Sequence, residues 1–316
     1  MKKILLSVLS VLFCFSVTAQ NSAMLRLSPE KNKVYRLKSI SEQTVSQTIN
    51  GIQQNTVSSS SFVMSLKMID MTKDFVVAEI RFDTIITNSN SMGKTTSISS
   101  AVEGNIASSE IGDIMSCIMN RLSRNALFVK LDFTGRPVEI VNLKMLSDMI
   151  LKDTSSITLT GPQAAAVKTQ VAGSIGDESL KRMIEMFTWT LPAKQVATGE
   201  TWNMTQQVNM GGMLLDIKSA FHLDEISGNM AKINSESNIS AVENAAPMQS
   251  GGGATVTYDN LQGLSKSNMV IDIRTGLVID EKAKTHISGN LGVSAPGVSM
   301  QIPLDINGET IVKSPQ

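Results

Sequence analysis

The stretch VYRLKSISEQTVSQTINGIQQNTVSSSSFVMSLKMID, residues 34–70, predicts how this chain folds. Asn50-Gly51 at its centre is a strong hairpin signal, because both central residues of a type I′ turn need positive φ. Pairing across this two-residue turn places Ile49 opposite Ile52. Because few flanking residues are apolar, the stretch predicts a long antiparallel hairpin with a thin apolar stripe and a polar face in water.

Three blocks follow from the hydrophobic periodicity of the remaining chain. Residues 20–105 and 188–316 alternate with the period of strands, whereas residues 106–187 are mainly helical. Three helices are predicted to begin after Ser109, Asn142 and Asp177, and a fourth possible helix has Pro162 in its first turn. Asn307-Gly308 predicts a second hairpin near the C-terminus, and SGGGA at residues 250–254 predicts a flexible connection.

These blocks predict an α+β fold that is predominantly antiparallel β. One or more long, curved sheets would surround a central helical segment, as in a β-clam or half-barrel fold. In this interpretation residues 20–316 form a single β-rich domain. Two β domains joined by the helices is the alternative.

The N-terminus predicts a signal peptide over residues 1–19. Lys2-Lys3 precede an apolar run, and small residues stand before Gln20 as a cleavage site requires. Phe13 precedes Cys14 where a lipid-attachment site needs a small residue, so we expect a soluble periplasmic or extracellular protein and not a lipid-anchored one. Signal removal leaves Cys117 as the sole cysteine, and its place beside an apolar helical stripe predicts a buried thiol.

The charge balance excludes one class of partner. The chain has 28 basic and 28 acidic residues, which are interspersed, so no basic patch is predicted for binding a phosphate backbone. No stretch after the signal approaches the ~18 apolar residues of a membrane span. Nucleic acid is therefore not an expected partner, and no transmembrane segment is predicted in the mature chain.

Motifs for catalysis and metal binding are incomplete. Gly93-Lys94-Thr95 matches the end of a phosphate-binding loop, but Asn88 stands where that loop needs its first glycine. His222, Asp224 and His286 are the minimum set for a zinc site, and nothing in the sequence brings them together, so half-exposed strand residues are the favoured interpretation. We therefore predict no catalytic residue, no cofactor and no metal, and a protein that is not an enzyme.

Methionine is abundant in the helical block, with Met115, Met119, Met149 and Met183 on predicted apolar faces. Thioether side chains fill irregular cores and also line adaptable binding surfaces. These four residues are the candidate ligand-binding residues. The predicted function is a non-enzymatic envelope protein that binds an apolar ligand or a lipidated partner between sheet and helices. The alternative is a structural or assembly module that contacts envelope proteins through exposed strand edges.

Three segments resemble an uncharacterised secreted bacterial family, domain of unknown function 6263. They are KVYRLKSISEQTVSQTING at residues 33–51, LPAKQVATGETW at residues 191–202 and IDIRTGLVIDEKAKTHISG at residues 271–289. The similarity covers nearly the whole mature chain, but its motifs are turns and strands. The resemblance implies an envelope protein with no assigned activity, and it carries no catalytic or binding residues.

Overall fold

A computed structural model describes residues 21–157, 162–210, 213–243, 245, 247–249, 254–295 and 297–314. The predicted signal peptide and most of the SGGGA connection therefore lie outside the described residues. The division into a signal peptide and one β-rich domain stays a prediction.

The described part of the chain is built from strands with helices between them. The strands are β1 Ser22–Leu25, β2 Val34–Ile49, β3 Ile52–Met71, β4 Val76–Ser91, β5 Lys94–Ser99, β6 Leu127–Leu131, β7 Pro137–Ile140, β8 Lys194–Ala197, β9 Thr201–Met210, β10 Met213–Ser227, β11 Met230–Ala241, β12 Met248–Gln249, β13 Thr255–Asp272, β14 Leu277–Ala295 and β15 Val298–Lys313. The helices are α1 Ile111–Ser123, α2 Leu143–Ile150, α3 Pro162–Ser174 and α4 Asp177–Thr188, and a 3₁₀ turn spans Thr154–Ser156.

Strands of the first and third blocks, together with β6 and β7 from the helical block, form one open antiparallel sheet. Its order is β7-β6-β4-β3-β2-β15-β14-β13-β11-β10-β9, with β5 added to β4 and β12 added to β13. The pairing of β15 with β2 joins the two blocks, and β1 and β8 form a separate two-stranded sheet. The predicted α+β class with a large, predominantly antiparallel sheet and a central helical segment is confirmed.

The opening hairpin has the predicted turn and register. Asn50 and Gly51 both have positive φ, 51° and 77°, as the type I′ turn requires. Ile49 pairs with Ile52, and the ladder continues for the full length of β2.

The hairpin predicted at Asn307-Gly308 is wrong. β15 passes straight through this dipeptide, because Asn307 is paired with His286 on β14 and with Thr44 on β2. Neighbours on both sides use the backbone groups of β15 in ladder hydrogen bonds, and these outweigh the local turn preference. The chain turns instead before β15, where Gly297 has a φ of 78°.

The helices begin within one residue of the predicted positions, but the caps differ. α3 begins at Pro162 as predicted. The N-cap residues of the other three are Glu110, Asn142 and Gly176, so the predictions for Ser109 and Asp177 are wrong by one residue. No side chain of these three caps its helix. Asn142 instead accepts a 2.9 Å hydrogen bond from the backbone N–H of Phe128, which ties α2 to β6.

One face of the sheet, the inner face, packs against the helices. Its apolar residues and those of the helices form a continuous core, in which the largest fully buried side chains include Leu37, Met64, Leu66, Phe82, Ile114, Ile118, Leu122 and Phe187. Cys117 is buried as predicted. A second group on the inner face, the distal cluster, consists of Leu215, Ile239, Leu261, Ile287, Leu304 and Ile306.

Hydroxyl side chains separate the distal cluster from the helix-facing core. They pair across neighbouring strands, with oxygens 2.7 Å apart in Ser219–Ser237, 2.9 Å in Ser235–Ser267 and 2.8 Å in Ser265–Thr285. Ser219, Ser237 and Ser267 are buried. These strands therefore place part of their serine inside the protein, where the hydroxyls of each pair satisfy one another.

Candidate functional site

The four candidate methionines lie in three different environments. Met115 and Met119 are buried in the helix-facing core, at 5% and 7% exposure, and Met183 packs against that core while partly exposed. Met149 is 47% exposed on the outer side of α2. The structure does not bring the four together on one surface, and their role in ligand binding stays a prediction.

The interface between helices and sheet is filled by side chains. Ile114, Ile118 and Leu122 of α1 are fully buried, and so are Ile80 and Phe82 of β4 against which the helical layer packs. Apolar side chains buried against one another in this way are typical of a protein core. A site for an apolar ligand is therefore to be sought elsewhere on the sheet.

The two histidines lie on strands that are not neighbours. His222 Nε2 is 3.5 Å from Asp224 Oδ1, and both residues lie on β10. His286 Nε2 on β14 is 2.7 Å from Asp305 Oδ2 on β15, and two strands, β11 and β13, separate it from β10. Within the described ranges no group of three or more His, Cys, Asp or Glu side chains has an arrangement that would hold a metal ion.

A groove crosses the outer face of the sheet, opposite the helices. Its volume is about 780 Å³, and it spans five adjacent strands from β3 through β2, β15 and β14 to β13. Val57 on β3 and Leu264 on β13 stand at its two sides, 52% and 36% exposed. This outer groove is the candidate functional site.

The centre of the outer groove is lined by long charged side chains. Lys282 Nζ lies 2.7 Å from Glu309 Oε1, and this hydrogen bond holds the pKa of the Glu309 carboxyl below its usual range. Lys266 Nζ lies 2.9 Å from Glu236 Oε2 just outside the groove. Lys284 completes the row between these pairs. The lysines add apolar surface as well as charge, because their methylene stems lie along the sheet.

Apolar residues continue beside the charged centre. Ile40 and Ile311 are cross-strand partners on β2 and β15, two residues from Glu42 and Glu309 along the same strands and hence on the same face. Ile40 is 40% exposed and Ile311 is half-buried. The outer face thus has an apolar strip next to a charged groove, which is the arrangement that an amphiphilic ligand requires.

The carboxyl of Glu281 is set into the inner face. Glu281 on β14 lies opposite Met269 and is half-buried among the side chains of that face. Burial raises the pKa of the Glu281 carboxyl, and a hydrogen bond with Ser267 opposes the rise.

A second exposed apolar surface lies at the β7 end of the sheet. Val141, Met145 and Met149 are each about half exposed and line a shallow cavity of about 660 Å³ with Lys144 and Lys152. Here one of the four candidate methionines does face open space.

Sequence reasoning missed the outer groove because its residues come from both ends of the chain. Glu42 lies on β2, whereas Lys266, Lys284 and Glu309 lie more than two hundred residues later. The available signal was the alternation of Lys282 and Lys284 in EKAKTH, which places both lysines on one face of that strand. Only the pairing of β2 with β15 puts both sets together.

Residues 73–278 match a family described as a family of unknown function (DUF6263). The chain belongs to this family. The resemblance inferred from the three sequence segments is thereby confirmed. No curated protein is similar to the chain in sequence at a significant level.

Two solved structures resemble this DUF6263 member distantly. Lipovitellin matches with a TM-score of 0.46 at 8% identity, over 91% of this chain and 25% of the lipovitellin chain, so the chain spans about a quarter of that protein. An outer membrane channel from Pseudomonas putida F1 matches with a TM-score of 0.27 at 8% identity, over 92% of this chain and 97% of the other. Scores this low carry no argument about function. None of the helices in the described ranges is both long and apolar enough to cross a membrane.

Proposed function

We propose that this protein is a non-enzymatic, exported cell-envelope protein that binds an amphiphilic ligand in the outer groove. The observation that carries the proposal is a groove of about 780 Å³ with Val57 and Leu264 at its sides and lysine stems along its centre. This volume lies within the ~300–1,000 Å³ typical of small-ligand sites. The packed interface between helices and sheet argues for the outer face over the inner one.

The apolar part of the ligand would cover apolar side chains whose exposure to water is otherwise unfavourable. Val57, Leu264 and the neighbouring Ile40 are all at least 36% exposed on the outer face. Covering one such side chain stabilises a complex by about 1 kcal/mol, which is about fivefold in Kd. A single acyl chain that contacts several of them therefore gains measurable affinity.

The test is isothermal titration calorimetry of the exported chain with monomeric dodecylphosphocholine. We expect saturable binding that Val57→Gln and Leu264→Gln each weaken about fivefold. Val138→Gln is the matched control, because Val138 is 44% exposed on β7, away from the groove. Mass spectrometry of organic extracts of protein purified from the envelope would then identify the native ligand.

Two results would contradict the proposal. One is the absence of binding to any single-chain amphiphile together with no lipid in the extracts. The other is equal loss of binding in the groove variants and in Val138→Gln, since the effect would then not depend on the groove.

A second candidate function, assembly through a strand edge, is favoured by β9. This ten-residue strand pairs with β10 on one side, and no described strand pairs with its other side. Unpaired strand edges accept an added strand from a partner. Cross-linking in cells through Thr205→Cys on β9, with Gln262→Cys on the central strand β13 as control, would capture an envelope protein only if β9 is the contact.

A further inference from the structure

The outer groove has an ordered row of charges across four adjacent strands. Glu42 on β2 lies opposite Glu309 on β15, Glu309 lies opposite Lys284 on β14, and Lys284 lies opposite Lys266 on β13. Two carboxylates therefore stand side by side, followed by two ammonium groups. Like charges directly opposite each other destabilise a sheet, and the unlike charges of Glu309 and Lys284 offset part of that cost.

Ion pairs within the protein compensate only part of the row. Lys266 is paired with Glu236 outside the groove, and Glu309 is paired with Lys282 two residues from Lys284. Across the described ranges, Glu42 and Lys284 have no ion-pair partner within 4 Å, and the charge of Lys284 acts only at longer range on Glu309, whose pKa it helps to lower. One negative and one positive side chain thus remain available, and they lie on opposite sides of β15.

We propose that the outer groove binds an amphiphile with a zwitterionic headgroup. Its anionic group would lie at Lys284 and Lys266, and its ammonium group would lie at Glu42 beside Glu309. Neighbouring strands are about 4.8 Å apart, so Glu42 and Lys284 are about 10 Å apart at the backbone, and their flexible side chains reach charges about half as far apart. This inference rests on the proposed function, because it names the class of ligand for the same groove.

The apolar residues fit the same orientation. With the headgroup across β2, β15, β14 and β13, Leu264 lies beside the lysine end, where the chain of the ligand begins, and Val57 lies beside the glutamate end. Ile40 and Ile311 lie next to the two carboxylates. A purely anionic amphiphile would meet repulsion from Glu42 and Glu309, whereas a purely cationic one would meet repulsion from the lysines.

The experiment compares monomeric amphiphiles that share a twelve-carbon chain. Dodecylphosphocholine, dodecyl phosphate and dodecyltrimethylammonium are titrated into the full exported chain and into Glu42→Gln and Lys284→Gln. Both variants are expected to weaken dodecylphosphocholine about three- to fivefold at low salt, and less at high salt because exposed charges are screened. Lys218→Gln is the control, because Lys218 is exposed on β10 outside the groove.

Glu42→Gln provides the sharpest distinction. It should weaken dodecylphosphocholine but strengthen dodecyl phosphate, because it removes attraction to the ammonium and repulsion of the phosphate. An equal effect of Glu42→Gln and Lys218→Gln on dodecylphosphocholine would overturn the zwitterion inference. If Leu264→Gln still weakened the binding of dodecylphosphocholine in that case, the proposed function would stand and only the zwitterionic class of ligand would be overturned.

Two further outcomes separate the inference from the proposed function. No binding of any of the three amphiphiles overturns both. Binding of chainless phosphocholine as tight as that of dodecylphosphocholine, with the same sensitivity to Glu42→Gln and Lys284→Gln, supports recognition of the headgroup and overturns a role for the chain.

Discussion

Replacing Met119 by alanine tests whether the helix-facing methionines are core or binding surface. Met119 is 7% exposed in the core, so the change removes buried atoms and leaves a cavity, at a cost of about 2–5 kcal/mol. Met149 on the exposed side of α2 has 47% of its surface in water. Because little is buried and no enclosed cavity forms, Met149→Ala should cost about 1 kcal/mol or less.

The measurement is thermal unfolding followed by circular dichroism. An unfolding entropy of about 2.1 cal/mol/K per residue over roughly 300 residues gives a shift of about 1.6 °C in Tm for each kcal/mol. Met119→Ala should therefore lower Tm by about 3–8 °C, and Met149→Ala by less than about 2 °C. Titration of both variants with dodecylphosphocholine should show unchanged Kd, because neither residue lines the outer groove.

The opposite pattern would refute the assignment of Met119 to a packed core. If Met119→Ala kept the wild-type Tm within about 1 °C and lost amphiphile binding, the space between helices and sheet would be a ligand cavity. The outer groove would then not be the site.

Three further outcomes follow from the backbone and from one buried carboxyl. Gly276→Ala should lower the free energy of unfolding by about 2–5 kcal/mol in denaturant unfolding, because the φ of Gly276 is 72° and an added Cβ would collide with the carbonyl oxygen of Arg26. A loss of less than about 1 kcal/mol would contradict this collision. Gly51→Ala should cost only about 1 kcal/mol, because Gly51 has positive φ but an added Cβ would meet open space. Gly308→Ala should be neutral or stabilising, because the nearest atom to an added Cβ would be 3.7 Å away. A larger loss of stability in Gly308→Ala than in Gly51→Ala would contradict the strand at Gly308. Burial raises the pKa of Glu281, so the stability present while it is protonated is lost as pH rises through the folded-state pKa. Glu281→Gln should therefore match wild type in Tm near pH 4 and exceed it near pH 8, and parallel pH profiles would count against that burial.

Local sequence patterns were sufficient for the elements whose partners are adjacent in the chain. The Asn50-Gly51 turn sets the register of β2 and β3, because a two-residue turn leaves only one way to pair its flanking strands. The helical stripes around Ile114 and Ile118 likewise predicted which faces are buried. In both cases the interaction that decides the structure lies within a few residues.

Strands distant in sequence decide two other features. One is the extended backbone at Asn307-Gly308, and the other is the charge row of the outer groove. The same dipeptide that turns at Asn50-Gly51 remains extended in β15, because β14 and β2 supply hydrogen-bond partners on both sides. The pairing of β15 with β2 also brings Glu42 next to Glu309 and hence to Lys284. Periodicity assigns each of these side chains to a face of its own strand, but it contains no information about which strands become neighbours. That order follows from packing of the whole sheet, so the candidate site exists only in the tertiary structure.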